Sequence, residues 1–369
     1  MSLRVAAVCR TMPARLHSSI VSPAGAVVLL LAGLLAVRPI EAQPQVTVVV
    51  GGLEVPWALA FAPDGRLFIT ERPGRIRVLR DGRLDPQPVA TLPVAARGEA
   101  GLMGLALDPG FAQTGWLYVC YTMSKRGGLV NRLAVLTLRE GRAGDERVLV
   151  DDVPGANVHD GCRVKFGPDG KLYFTTGDAA ESRLAQRQDS LAGKILRINA
   201  DGSVPADNPF PGSPIYTLGH RNPQGLAWDA AGRLFASEHG PSGFPGGHDE
   251  LNLIRPGRNY GWPEVYGRGG QARFEEPVLE SGLRTWAPSG MAIAGGFAYI
   301  AALRGQQLLR VGLAADGSVT GVSSLLEGAY GRLRDVVVGP DGALYIATSN
   351  RNGRGSPTLD DDRILRLVP

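Results

Sequence analysis

Arg163-Val164-Lys165-Phe166-Gly167-Pro168-Asp169-Gly170-Lys171-Leu172-Tyr173-Phe174-Thr175-Thr176 is a short β-prone run, a turn and a second such run. Proline followed by Asp-Gly sets up a tight reversal at little steric cost, and the β-branched and aromatic residues on either side favour strands. The unit recurs along the chain, with first strands at 57–62, 102–107, 163–166, 225–228, 291–294 and 335–338. Turns follow each of these, among them Pro63-Asp64-Gly65, Asp108-Pro109-Gly110, Gly295-Gly296 and Pro340-Asp341-Gly342. Second strands then fall at 67–70, 116–121, 172–176, 234–237, 298–301 and 344–348, and third strands at 75–79, 133–138, 194–198, 251–254, 308–313 and 364–368. One three-stranded sheet cannot bury both of its faces, so six such units argue for radial repetition: an all-β, six-bladed β-propeller. The β-branched run at 45–50 is expected to pair as the outer strand of the last blade and close the ring, which removes exposed edges.

The repeat carries a geometric consequence. In an antiparallel meander the first strand starts at the end where the second strand finishes. Polar residues gather at those two positions. Glu99, His159-Asp160, His220-Arg221-Asn222, Trp286, Arg332 and Arg334 precede first strands, and Asp178, Glu238-His239-Gly240-Pro241, Arg304 and Asn350-Arg351 follow second strands. One mouth of the propeller is therefore chemical, and the other carries the turns.

The N-terminus reads as a secretory signal over 1–42. Arg4, Arg10 and Arg15 precede an apolar run of 14 residues from Ala24 to Val37, and Ile40-Glu41-Ala42 offers a cleavage site before Gln43. The run is short for a spanning helix, which needs about 20 residues, so stable membrane insertion is not expected. The mature domain is then 43–369, exported to the periplasm or secreted. Of the chain's 39 Lys and Arg and 35 Asp and Glu, the signal holds four Arg and one Glu, which leaves the mature domain nearly neutral and gives no case for nucleic-acid binding. Export permits a disulfide between Cys120 and Cys162, but two cysteines make no framework, and they are read as two small, half-buried side chains.

His159 and Asp178 fall at the same end of one blade. A histidine oriented by a carboxylate is the usual general base near neutral pH; on spacing alone, a loop histidine and a turn-capping aspartate fit equally. Arg221, Arg304, Arg332, Arg334 and Arg351 come from several blades to one mouth, which suits a polyanion carrying carboxylates or phosphates, or else separate surface ion pairs. The insertion at 238–250 holds His239, His248, Asp249 and Glu250 without a short-spaced ligand pair, so zinc is disfavoured. Its Gly-Pro backbone suits calcium, which accepts carbonyl oxygens; simple turn hydrogen bonding is the other reading. The loop at 350–363, with Asp360, Asp361 and Asp362, is read as a flap over the mouth or a solvated surface loop.

Several of these segments resemble one family. Gly219-His220-Arg221-Asn222-Pro223-Gln224-Gly225, Glu238-His239-Gly240-Pro241, Asp249-Glu250-Leu251-Asn252, Asn259-Tyr260-Gly261-Trp262-Pro263, Gly331-Arg332-Leu333-Arg334-Asp335 and Asn350-Arg351-Asn352-Gly353-Arg354-Gly355 are similar, in order, to the soluble pyrroloquinoline quinone (PQQ)-dependent aldose sugar dehydrogenases of the glucose/sorbosone dehydrogenase family. The resemblance runs from about Val46 to Pro369. It implies oxidation of an aldose at C1 to the lactone, with His159 as the base, Asp178 orienting it and Arg221 near the reactive quinone carbonyl. It assigns Arg221, Asn222, Arg304, Arg332, Arg334 and position 99 to PQQ. It gives the carbonyls of Gly240 and Pro241 to an active-site Ca2+, and Glu250 and Tyr260 to a second, structural Ca2+. An external electron acceptor is implied as well, and a monomer is the default.

The chain departs from the family pattern at three positions. Glu99 stands where some members carry a glutamine, so its carboxylate must be protonated, bonded to a donor or turned away. Arg304 replaces a lysine, and Cys162 stands where glycine is common, either facing the blade or placing a thiol beside the quinone. A propeller lactonase and a non-catalytic binding propeller share the scaffold. The first needs Glu, Asn and Asp side chains converging on one metal, which these motifs do not offer, and the second predicts that His159 is dispensable.

Overall fold

The structure is a computed structural model that describes residues 45–243 and 246–368; the expected signal at 1–42 lies outside them. Six antiparallel sheets of four or five strands form the blades. Their innermost strands are Pro56–Phe61, Leu102–Leu107, Gly161–Phe166, Pro223–Trp228, Pro288–Ala294 and Leu333–Val338, and they touch one another in cyclic order, the last against the first. The six-bladed β-propeller read from the repeat is therefore the fold. Gln45–Val50 pairs antiparallel with Ile364–Val368, which closes the ring as expected.

Three strands of each blade were legible, but the outer ones were not. Blades 1 to 5 finish with Arg83–Leu84 and Ala90–Thr91, Arg142–Gly155, Ile215–Leu218, Leu279–Glu280 and Val319–Leu325. All but Ile215–Leu218 are either two residues long or largely exposed, so no apolar alternation announces them, while Ile215–Leu218 is a four-residue, mostly buried strand that the three-strand unit passed over.

Crowding at the axis explains two glycines in the innermost strands. A Cβ on Gly290 would lie 1.7 Å from Asp335 Oδ1, and one on Gly104 would lie 2.0 Å from the Cys162 carbonyl oxygen. Between the mouths, Arg163 of blade 3 reaches Asp335 of blade 6 at 3.0 Å, with its guanidinium 4.3 Å from the Trp57 ring centroid. This fully buried pair spans opposite blades and fills the middle of the channel.

The cysteines correct the sequence reading. Cys120, on the second strand of blade 2, and Cys162, on the first strand of blade 3, form a disulfide with Cα atoms 5.5 Å apart. Both are fully buried, so they are not two half-buried thiols, and no thiol faces the mouth at position 162.

Candidate active site

One mouth of the propeller opens into a cavity of about 490 Å³. His159, Glu99, Arg221, Arg304, Arg332, Arg334, Gly240 and Pro241 all border it. The two sequence positions in each blade that collected polar residues thus converge, as the meander register requires.

His159 sits at φ +60° in the turn that feeds the first strand of blade 3, a backbone region that non-glycine residues seldom adopt. A Cβ on Gly177 would come within 1.8 Å of its carbonyl oxygen, so the close approach there requires glycine. His159 Nδ1 lies 2.8 Å from Asp178 Oδ1. Asp178 also accepts from the Ala180 amide at 2.9 Å and from Trp262 Nε1 at 2.8 Å. With Nδ1–H donated to the carboxylate, Nε2 is the nitrogen left to take a proton from the cavity. The indole of Trp262 also lies 5.4 Å from the Arg221 guanidinium, tying the orienting carboxylate to the nearest cation. The sequence had supplied Trp262 only as part of a motif, without a role.

Arg221 and Asn222 hang on Glu238. This buried carboxylate accepts from His220 Nδ1 at 2.8 Å, from the Arg221 amide, and from the Asn222 amide at 3.3 Å. His220 bonds Thr217 through Nε2 at 2.8 Å and stacks on Tyr260, so it is a strut below the mouth and not part of it. Asn222 Oδ1 accepts from the Gly161 amide at 3.0 Å, which links this segment back to the His159 turn.

The cavity wall is cationic. Arg334 Nη1 donates to Gln224 Oε1 at 2.7 Å, Arg332 Nη1 donates to the Leu303 carbonyl at 3.3 Å, and Arg221 Nη2 donates to Ser242 Oγ at 2.8 Å. Arg72, which the sequence reading missed, donates to the Gly98 carbonyl at 2.6 Å. Each of these four guanidinium groups keeps a buried Nε–H with no acceptor, and so does the amide of Asn222. Burial, together with Arg354, pushes Arg332 down to about 10; burial and Arg332 push Arg334 down to about 9. Arginine remains protonated at these values, so the cost stays as unrelieved repulsion that an anion would offset. Arg304 stands exposed on the rim. Arg351 corrects the reading: its guanidinium bonds the carbonyls of Thr358, Leu359 and Asp361 within its own loop. Arg354 from that loop reaches the cavity instead.

Glu99 is bonded to donors. Its Oε2 accepts the His159 amide at 3.3 Å, and its Oε1 pairs with Arg354 Nη1. Burial would raise its carboxyl, yet His239, Arg354 and the His159 amide outweigh burial and hold it at about 2. Burial keeps His239 neutral above about 3, so at neutral pH Arg354 and the amide do this work. The loop at 350–363 borders the mouth through Asn352 and Arg354, while most of residues 351–360 stay exposed. Asp361 and Asp362 are buried within it, and Asp362 accepts the amides of Val55, Asn350 and Arg351.

The donor set fits a tricarboxylate such as PQQ, because four under-satisfied guanidinium groups surround a cavity whose own carboxylate is already paired. A cation fits differently. Among the described residues no group of three or more His, Cys, Asp or Glu could hold a metal. Asp249 accepts the Gly240, Trp286 and Ala287 amides, at 2.9, 2.6 and 2.9 Å, and so organises the Gly240 backbone. Among the described residues no backbone donor meets the carbonyls of Gly240 and Pro241, so the oxygens on offer there are carbonyls. At the second expected cation site, Glu250 accepts from Asn252 at 2.9 Å and from the Gly267 amide at 2.6 Å. The Tyr260 hydroxyl donates to the Leu253 carbonyl at 2.7 Å and accepts the Arg255 amide at 2.9 Å. The phenol is thereby committed, and Tyr260 would serve a cation only through its carbonyl.

The glucose/sorbosone dehydrogenase family model matches residues 53–365. The chain belongs to that family. It is 31% identical to an aldose sugar dehydrogenase of Escherichia coli (strain K12), over 85% of this chain and 92% of that one. It is 33% identical to the quinoprotein glucose dehydrogenase B of Acinetobacter calcoaceticus, over 68% of this chain and 59% of that one. Among solved structures, the PQQ-bound aldose sugar dehydrogenase of Streptomyces coelicolor superposes with a TM-score of 0.81 at 40% identity, covering 88% of this chain and 98% of the other. Membership makes the chain an oxidoreductase of the glucose/sorbosone dehydrogenase family.

Proposed function

We propose that this protein oxidises an aldose at C1 to the lactone, using PQQ and calcium and passing the electrons to an external acceptor. The observation that carries this reading is the His159–Asp178 pair opening onto a cavity walled by under-satisfied guanidinium groups. When bound, PQQ supplies the two-electron hydride acceptor. Arg332 and Arg334 would hold its carboxylates with Arg72 beside them, and Arg221 and Asn222 would position its reactive edge. A Ca2+ held by the Gly240 and Pro241 carbonyls would act there as a Lewis acid.

The chain's own part is proton transfer and orientation. His159 Nε2 takes the anomeric hydroxyl proton as the C1–H bond gives up its electron pair, leaving a C1=O lactone. The imidazolium formed is held by Asp178, whose other oxygen Trp262 fixes, so the ring does not rotate as charge develops. Arg221 places positive charge where negative charge builds up.

We further infer export to the periplasm with removal of 1–42. The Cys120–Cys162 disulfide supports an oxidising compartment, and no helix of the described residues is long and apolar enough to cross a membrane. A monomer is the working state.

The test is His159→Ala assayed for dye reduction over a panel of aldoses with PQQ and calcium added. The expected result is a loss of about two to four orders of magnitude in kcat with the PQQ absorbance change on binding retained. Undiminished turnover by the variant would overturn the assignment of the base, and a wild type inactive on every aldose would overturn the function.

A further inference from the structure

We propose that the Cys120–Cys162 disulfide is a positioning device for His159, locking the turn that carries the base to the neighbouring blade. The inference rests on the reading of His159 as the base.

The turn from His159 to Cys162 holds three of its four residues in the left-handed region. His159, Gly161 and Cys162 have φ of 60°, 65° and 66°, and the pairing register slips between Gly161 and Val164, as it does at the start of every innermost strand. Only glycine adopts such values without steric cost, so His159 and Cys162 hold them because their surroundings impose them. The turn is gripped from several sides, and within it the Asp160 carboxylate accepts from Asn131 Nδ2 of blade 2 at 2.9 Å and from the Ala156 amide at 3.0 Å. Asn222 Oδ1 of blade 4 takes the Gly161 amide at 3.0 Å, Glu99 takes the His159 amide at 3.3 Å, and the Ala179 amide donates to the His159 carbonyl at 3.2 Å. Each of these is a single hydrogen bond, and the Glu99 contact depends on a carboxylate shared with Arg354.

The disulfide is the covalent grip. Cys120 lies in the middle of a ten-residue strand, Trp116–Lys125, flanked on both sides by its sheet neighbours. Leu117, Tyr118, Val119 and Tyr121 around it are fully buried. Cys162 is thus tied to a fully buried, doubly paired part of blade 2, while its carbonyl packs on Gly104 of that blade so closely that a Cβ there would come within 2.0 Å. With Cys162 fixed, only two residues, Asp160 and Gly161, separate a covalent anchor from the histidine that carries the imidazole. Free to relax, the turn would leave the left-handed region and swing the ring off Asp178.

Cys120→Ser breaks the link from another blade without altering any residue of the turn. Expected are a kcat lower by about tenfold or more, with KM and PQQ binding within about twofold of wild type. The downfield proton resonance of the His159 Nδ1–H bonded to Asp178 should broaden or vanish, a change that lost global stability alone does not produce. A folded Cys120→Ser protein with wild-type kcat and an intact resonance overturns the proposal. Should that variant fail to fold, the double variant Cys120→Ala with Cys162→Ala, which leaves no buried thiol or hydroxyl, is read against the same two outcomes. If wild type turns over no aldose, the functional reading falls, but the resonance comparison still decides whether the disulfide holds the ring.

Discussion

A carboxylate among four guanidinium groups would ordinarily blunt an anion site. Glu99 escapes this because its oxygens are spent on Arg354 and on the His159 amide. Its folded-state value of about 2 lies below its ordinary 4.5. A depressed carboxyl contributes stability that is complete above about 4.5 and is lost as pH falls towards 2, because the unfolded chain binds the proton first. Glu99→Gln removes the charge and turns an amide nitrogen towards a donor. The variant should therefore melt lower than wild type by about 1–3 kcal/mol at pH 7. The gap should close as the pH is lowered from 4.5, as read by thermal melts across that range. A gap independent of pH would show that Glu99 is not ionised in the fold. Residue-scale legibility was uneven for a physical reason. His159, Asp178 and Arg221 occupy the blade positions that the repeat sends to the mouth, and so could be read in advance. Arg72 follows the second strand of blade 1 and so shares that register, but a lone arginine after Glu71 carries no motif to single it out, and Arg354 lies deep in the long insertion after the last second strand, where the repeat no longer fixes which side chain faces the cavity.

Between Asp178 and the third strand of blade 3, one lysine organises an entire connection. Lys194 is buried, and its Nζ donates to the carbonyls of Leu184, Ala185 and Ala192 at 2.9, 2.9 and 2.6 Å. Burial pushes the group down to about 7, and in its ammonium form its three protons find three acceptors. They close the short helix Ser182–Gln186 against the blade, and Gln186 in turn donates to Asn259 and to the Trp262 carbonyl. The element that steadies Trp262, and through it Asp178, is thus pinned by a lysine in place of a core side chain. Lys194→Met takes its only donor among the described residues from the Ala192 carbonyl and one of two donors from the carbonyls of Leu184 and Ala185, which keep the amides of Arg187 and Gly219. It should cost about 1–3 kcal/mol in denaturant melts and raise amide hydrogen exchange selectively over residues 182–193. Exchange that rises uniformly over the chain would argue against a local strut. The start of this strand was legible at Lys194, but the cage was not, since its acceptors are backbone carbonyls that no side-chain pattern reveals. Outer strands such as Arg142–Gly155 and Val319–Leu325 escaped notice for a related reason: they are largely exposed, and their residues are not constrained to be apolar.

Across the whole molecule, the ring closes with a strand from the other end of the described residues. Gln45–Val50 pairs with Ile364–Val368 from Gln45 opposite Val368 to Val50 opposite Ile364, and its valines divide between two clusters. Val46 packs with Leu333, Leu344 and Leu367, while Val49 and Val50 pack with Leu53, Leu59 and Ile364. The first cluster also holds Tyr299 of blade 5, and the second holds Leu67 of blade 1. One strand therefore braces the last blade against both of its neighbours, and without it Ile364–Val368 becomes a bare apolar edge. A chain starting at Gly51 would lose a ladder of backbone hydrogen bonds and the partial burial of three valines, about 3–6 kcal/mol. At about 2–4 °C per kcal/mol for a domain of this order, its melting temperature should fall by roughly 10 °C. The exposed edge should also recruit a second chain, visible as dimers or larger species in size-exclusion chromatography. Adding back a synthetic peptide of residues 45–50 should restore the monomer. A truncated chain that stays monomeric and melts with wild type would mean that the sixth blade is closed by its own three strands, and that the N-terminal strand only decorates it.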